Sequence, residues 1–214
     1  MKIILVDRKQ DLCRAWQEEF QNLPNIEIVQ GHFEKILKFD CMVSSANSFG
    51  MMDGGVDLDI VNFFGQTVMD NIQSLILRDY LGEQPVGTSI ILETGHPEHP
   101  FIAHTPTMRV PMPIAHTDHV YSAMWAMLLA VHHHNQTANQ KINIVACPGF
   151  GTSTGKMPYA EAALQMAMAY KNFLNPPTHL DWVVITQRNK PFKPYQIAIE
   201  HQIALKNSQE NTED

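Results

Sequence analysis

The segment Ser44–Asp57, S-S-A-N-S-F-G-M-M-D-G-G-V-D, constrains the fold more than any other part of the chain. A short apolar run, Cys41-Met42-Val43, precedes it and has the length of a buried strand. Apolar residues at helical spacing follow it from Val56 to about Leu81: Ile60, Phe63, Phe64, Val68, Ile72, Leu75 and Ile76. A strand, a glycine loop and a helix in that order aim backbone N–H groups and the positive helix end at one place. Gly54 and Gly55 permit a tight turn and a close approach of ligand to backbone. Asn47 at the strand end and Asp57 at the helix start can both face that place. The competing reading is a plain strand–helix turn, with Asp57 as a cap and Asn47 bonded to local backbone.

The rest of the chain repeats this alternation. Lys2–Val6 reads as a buried strand, with Asp7 placed to cap a helix over Lys9–Gln21. Ile26–Val29 is a second strand, followed by a short helical turn that puts Phe33, Ile36 and Leu37 inward. Cys41–Ser45 is the third strand. Thr88–Leu92 and Phe101–His104 form a hairpin around Gly95–Pro100. Thr105–Pro113 holds three prolines and should be an ordered loop. A helix runs from Val120 to about His133, capped by Thr117 or Asp118. Ile142–Cys147 is another buried strand, and Pro148–Met157 a second glycine loop. Pro158 opens a helix to about Phe173. Trp182–Ile185 reads as a last strand, Pro191–Tyr195 as irregular and Gln196–Lys206 as a short final helix. One domain is expected over residues 1–206, with a polar, frayed tail at 207–214. Strands alternating with helices predict an α/β fold, a largely parallel or mixed sheet with helices on both faces.

Charge and composition narrow the function. The net charge of −7 argues against an extended nucleic-acid groove. It does not oppose a small phosphorylated ligand, because loop N–H groups bind phosphate without net positive charge. No apolar run approaches the roughly 18 residues needed to span a membrane. The start, M-K-I-I-L-V-D, is too short in its apolar part for a signal peptide. Cys13, Cys41 and Cys147 are an odd set without tight spacing; Cys41 and Cys147 sit in apolar runs and read as buried thiols of a reducing compartment, so a cytoplasmic location is expected.

Two nucleotide motifs fail against the sequence. A phosphate loop of the G-x-x-x-x-G-K-S/T type needs glycine where Phe150 stands and a hydroxyl where Met157 stands. A dinucleotide fingerprint needs glycines after the first strand, where Asp7-Arg8-Lys9-Gln10 stands instead. His96, His99, His104, His116 and His119 contain two H-x-x-H spacings. Pro97 and Pro100 read as turn punctuation among them, and no metal site is expected. The methionines near 124–127 and 166–168 read as core.

Two strands therefore end in glycine loops that feed helices, and both loops resemble one family. D-C-M-V-S-S-A-N-S-F-G-M-M-D-G-G-V-D (Asp40–Asp57) resembles the macro domain stretch D-x-I-V-N-A-A-N … G-G-G-V-D. C-P-G-F-G-T-S-T-G (Cys147–Gly155) resembles that family's second phosphate loop. The pattern is closest to a bacterial or phage branch, and the likeness extends over roughly residues 1–190. It implies a three-layer α/β/α fold binding ADP-ribose at the carboxyl edge of the sheet. By this resemblance Asn47 contacts the distal ribose, and Asp57 completes the Asn/Asp pair of the MacroD-type hydrolases. Ala46, Gly54, Gly55 and Val56 fall on the first loop. Gly149, Gly151, Thr152, Ser153, Thr154 and Gly155 fall on the second. Gly31-His32-Phe33 replaces the family's G-D-I, whose Asp meets the adenine amino group; a neutral His can accept there through one ring nitrogen. Ser44 replaces the first Asn, and Met52-Asp53 replaces the leading glycines.

The resemblance implies binding of ADP-ribose or an ADP-ribosylated substrate, with no cofactor, and hydrolysis of ADP-ribosyl or O-acetyl-ADP-ribose linkages. Asp57 stays ionised at its helix start and activates water, and Asn47 fixes the ribose. The alternative is a module that only binds ADP-ribose.

Overall fold

The structure, a computed structural model, describes residues 1–190. Six strands form one sheet: β1 (Lys2–Asp7), β2 (Ile26–Gln30), β3 (Cys41–Ser44), β4 (Ile90–Glu93), β5 (Phe101–His104) and β6 (Ile144–Cys147). Their order across the sheet is β2-β1-β6-β3-β5-β4. All pairs are parallel except β4–β5, which closes the predicted hairpin. The α-helices are α1 (Gln10–Phe20), α2 (Gly55–Phe64), α3 (Gln66–Asp79), α4 (His119–Thr137), α5 (Tyr159–Leu174) and α6 (Trp182–Asn189).

The strands are short continuous apolar runs because the sheet is covered on both sides. Side chains alternate between two cores. Ile3, Leu5, Cys41, Val43, Ala103, Val145 and Cys147 pack with α1, α4 and α5. Val6, Met42, Ile102 and Ala146 pack with α2 and α3. The result is the expected three-layer α/β/α arrangement. Because β1, β2, β3, β5 and β6 run parallel, the loops that follow them share one edge of the sheet.

Several elements differ from the sequence expectation. Trp182–Ile185 opens a helix rather than forming a strand. Asp181 caps it by accepting from the Val184 N–H at 2.8 Å, and four apolar residues alone do not distinguish the two periods. The long pattern after Val56 breaks at Gly65, whose φ of 95° ends α2 before α3 begins. Leu37, expected inward, is 96% exposed, because the turn Phe33–Lys35 ends after one 3-10 turn and Ile36 is extended. α4 runs on to Thr137. Asp7 does not occupy the cap position of α1 but accepts from the Lys9 N–H at 2.8 Å. The irregular stretch at 191–195, the final helix at 196–206 and the tail at 207–214 lie outside the described residues. Among the described residues, no helix is long and apolar enough to cross a membrane.

Candidate functional site

The exit of β3 is held open by the strand beside it. Thr105 N–H donates to the Ser44 carbonyl, Ala46 N–H to Thr105, and Thr107 N–H to Ala46. This parallel pairing continues through a bridge between Asn47 and Met108. Asn47 then builds the loop that follows. Its Oδ1 accepts from the Phe49 and Met51 N–H groups, and its Nδ2 donates to the Met51 carbonyl at 2.7 Å. Among the described residues, one Nδ2 hydrogen is left over. The chain reaches α2 through Gly54 and Gly55; Gly55 has φ 58°, which glycine adopts without strain. No side chain caps the first turn of α2, so its N–H groups face outward with the positive helix end.

The exit of β6 forms the second loop. Met157 N–H donates to the Gly151 carbonyl at 3.0 Å, and Ile114 N–H to the Gly155 carbonyl at 2.7 Å. A Cβ on Gly155 would stand 2.5 Å from the Gly151 oxygen, so only glycine closes this loop.

Both loops line one cleft of about 280 Å³. Every residue the motifs nominate lies on its wall: Gly31, His32 and Phe33 beyond β2, Ala46, Asn47 and Gly54 to Asp57 beyond β3, and Gly149 with Gly151 to Gly155 beyond β6. From β2 to β3 is three strand spacings, about 14 Å, so the cleft crosses the sheet edge with the second glycine loop at its middle. Sequence reasoning missed Asp7, Met51, Met108, Pro111 and Tyr159, which also line it. Asp7 could be found only from the strand order, which sets the end of β1 between those of β2 and β6.

His96 and His99 stack at 4.9 Å, but the five histidines do not gather into one cluster. His99 stacks on Phe39 at 3.8 Å and its Nδ1 meets the Phe39 carbonyl. His104 is fully buried and bonds Gln84, and burial pushes it down to about 3. His116 pairs with Glu161 at 3.1 Å. Among the described residues, no group of three or more His, Cys, Asp or Glu is placed to hold a metal.

A family model for the macro domain matches residues 43–166. The chain belongs to the macro domain family. It is 28% identical over 151 residues to an uncharacterized protein of Aquifex aeolicus, covering 70% of this chain and 82% of that one. Among solved structures it is similar to the Oceanobacillus iheyensis macrodomain with ADP, at TM-score 0.57 and 22% identity, covering 69% of this chain and 75% of that chain. It is also similar to the macrodomain of Mycobacterium tuberculosis DarG, at TM-score 0.53 and 17% identity, covering 64% and 84%. A Trypanosoma brucei macrodomain in complex with ADP-ribose gives TM-score 0.53 and 14% identity, covering 65% of this chain and 53% of that chain. At these identities the structural likenesses establish the fold.

In this macro domain the acid of the G-V-D motif is not a solvated cap. Asp57 is 8% exposed, and its Oδ1 accepts the Ser44 hydroxyl at 2.7 Å. Burial pushes its carboxyl up to about 6, opposed by the Ser44 hydrogen bond and aided by the charge on Asp53. The sequence reading expected the helix end to keep Asp57 ionised. Burial opposes that end and raises its titration to about 6, so Asp57 is still ionised at neutral pH and takes up a proton as pH falls through that value.

Proposed function

We propose that this macro domain binds ADP-ribose along the cleft and hydrolyses ADP-ribosyl or O-acetyl-ADP-ribose linkages without a metal. The observation that carries the proposal is convergence: two glycine loops and one buried carboxylate meet at a single cleft. The loop N–H groups hold the diphosphate. Asn47 shapes the first loop and offers its remaining Nδ2 hydrogen to a distal ribose hydroxyl. Asp57 orients water and takes its proton as the water oxygen bonds to C1 of that ribose. The carboxylate of the modified residue departs with the bonding electrons. A base that titrates near the working pH suits this task. One domain over residues 1–206 carries the activity, in a reducing cytoplasm that suits three buried free cysteines.

Calorimetric titration with ADP-ribose is expected to show a one-to-one complex. Absence of heat at millimolar ligand would overturn the binding reading. A second reading, a module that binds without turnover, is favoured by how fully Asn47 is engaged in its own loop. Incubation with mono-ADP-ribosylated protein and with O-acetyl-ADP-ribose separates the two; tight binding with turnover of neither leaves the second.

The pH profile tests the role of Asp57. Turnover is expected to fall as pH drops through about 6, where Asp57 takes up a proton. Ser44→Ala removes a hydrogen bond that favours the ionised form, so this acid limb should move to higher pH. A limb that stays in place or moves down assigns the titration to another group.

A further inference from the structure

Asp7 closes β1 and lines the cleft two strand positions from β3, whose exit leads to Asp57. Its main-chain carbonyl accepts the Gly31 N–H at 2.9 Å, which ties the exit of β1 to that of β2. Oδ1 of its side chain accepts the Lys9 N–H at 2.8 Å, which fixes the carboxylate. Oδ2 accepts from no group among the described residues. It lies on the Gly149 side of the cleft, 3.1 Å from where a Cβ of that residue would stand. Val6 and Phe33 give this end apolar surface. His32, which the motif nominates for the base, also lines the cleft but is 44% exposed and sits beside Glu34, with 3.8 Å between Nδ1 and Oε2.

The inference rests on the ADP-ribose reading of the cleft. A nucleoside diphosphate with its diphosphate on the β6 loop and its distal sugar at Asp57 leaves its base at the exits of β1 and β2. A carboxylate only accepts hydrogen bonds, and an exocyclic amino group offers two donors. We propose that Asp7 reads the base, taking an amino N–H through Oδ2, and so selects adenine over purines without that group.

The test compares ADP with purine riboside 5′-diphosphate, which lacks the amino group and adds no bulk. By calorimetry the wild type should bind ADP about 10- to 100-fold more tightly, the range of a hydrogen bond to a charged group. Asp7→Asn keeps an acceptor for the Lys9 N–H but turns an amide N–H toward the base. It should weaken ADP and leave purine riboside 5′-diphosphate nearly unchanged, so the ratio falls toward one. His32→Ala should leave the ratio intact. If the wild type binds both ligands equally, or if only His32→Ala erases the preference, the assignment to Asp7 is overturned while the binding reading stands. If the wild type binds neither ligand nor ADP-ribose, both readings fall. The wild-type comparison stands even if Asp7→Asn does not fold.

Discussion

Asp57→Ala should reduce turnover of an ADP-ribosylated substrate by roughly 10²–10⁴, the range for loss of a general base. It should change ADP-ribose affinity far less. The interaction with the attacking water is made mainly in the transition state, so kcat and kcat/KM should fall together. Stability distinguishes this role from capping. The carboxyl titrates at about 6 in the fold, against 3.8 when free. Between those two values the folded state holds more protons than the unfolded state, so stability drops as pH rises through the window. At pH 7 the buried charge costs about 3 kcal/mol. Asp57→Asn should therefore raise the melting temperature at pH 7 and leave it nearly unchanged at pH 4. If Asp57→Ala keeps full turnover and only lowers the melting temperature, Asp57 serves the fold through its bond with Ser44 and the catalytic assignment fails.

Gly55→Val should do the reverse, weakening ADP-ribose about 10- to 100-fold, the cost of one or more lost hydrogen bonds to a charged group. Two effects combine. Gly55 has φ 58°, a conformation that a β-branched residue adopts only under strain, of the order of 1–3 kcal/mol. A Cβ at this position meets nothing within 4 Å inside the protein. The valine side chain would thus stand in open space at a position that lines the cleft, where the backbone is expected to approach the diphosphate. Binding should fall first, and turnover at saturating substrate should change less. Calorimetry and steady-state kinetics on the same preparation read both. Unchanged affinity would remove the first glycine loop from the binding site.

Much of this site was legible because its signals are local. Each glycine loop lies within a dozen or so residues of the strand that precedes it, and the apolar runs on either side declare the strand and the helix. Asp7 was not legible, since its place depends on β1 lying between β2 and β6, and nothing near Asp7 encodes that order. The environment of Asp57 was hidden for the same reason. A charge at a helix start predicts an ionised group, and only packing reveals the walls around it. Gly65 sat inside an unbroken apolar period, where one glycine does not by itself end a helix. Asn47 could be read as a turn residue or a ligand contact, and its bonds within the loop explain why both readings had merit.

The position of β6 sets the order in which the molecule can be completed. This strand lies in the middle of the sheet, between β1 and β3, yet among the described residues it is the last strand to leave the ribosome. Before Ile144–Cys147 is made, β1 can pair only with β2, and β3 only with β5, each keeping one open edge. Such edges are sticky, and pairings this far apart in sequence form slowly. The site shares this delay. Its two halves belong to separate pieces of sheet, and the glycine loop at its middle arrives with the strand that joins them.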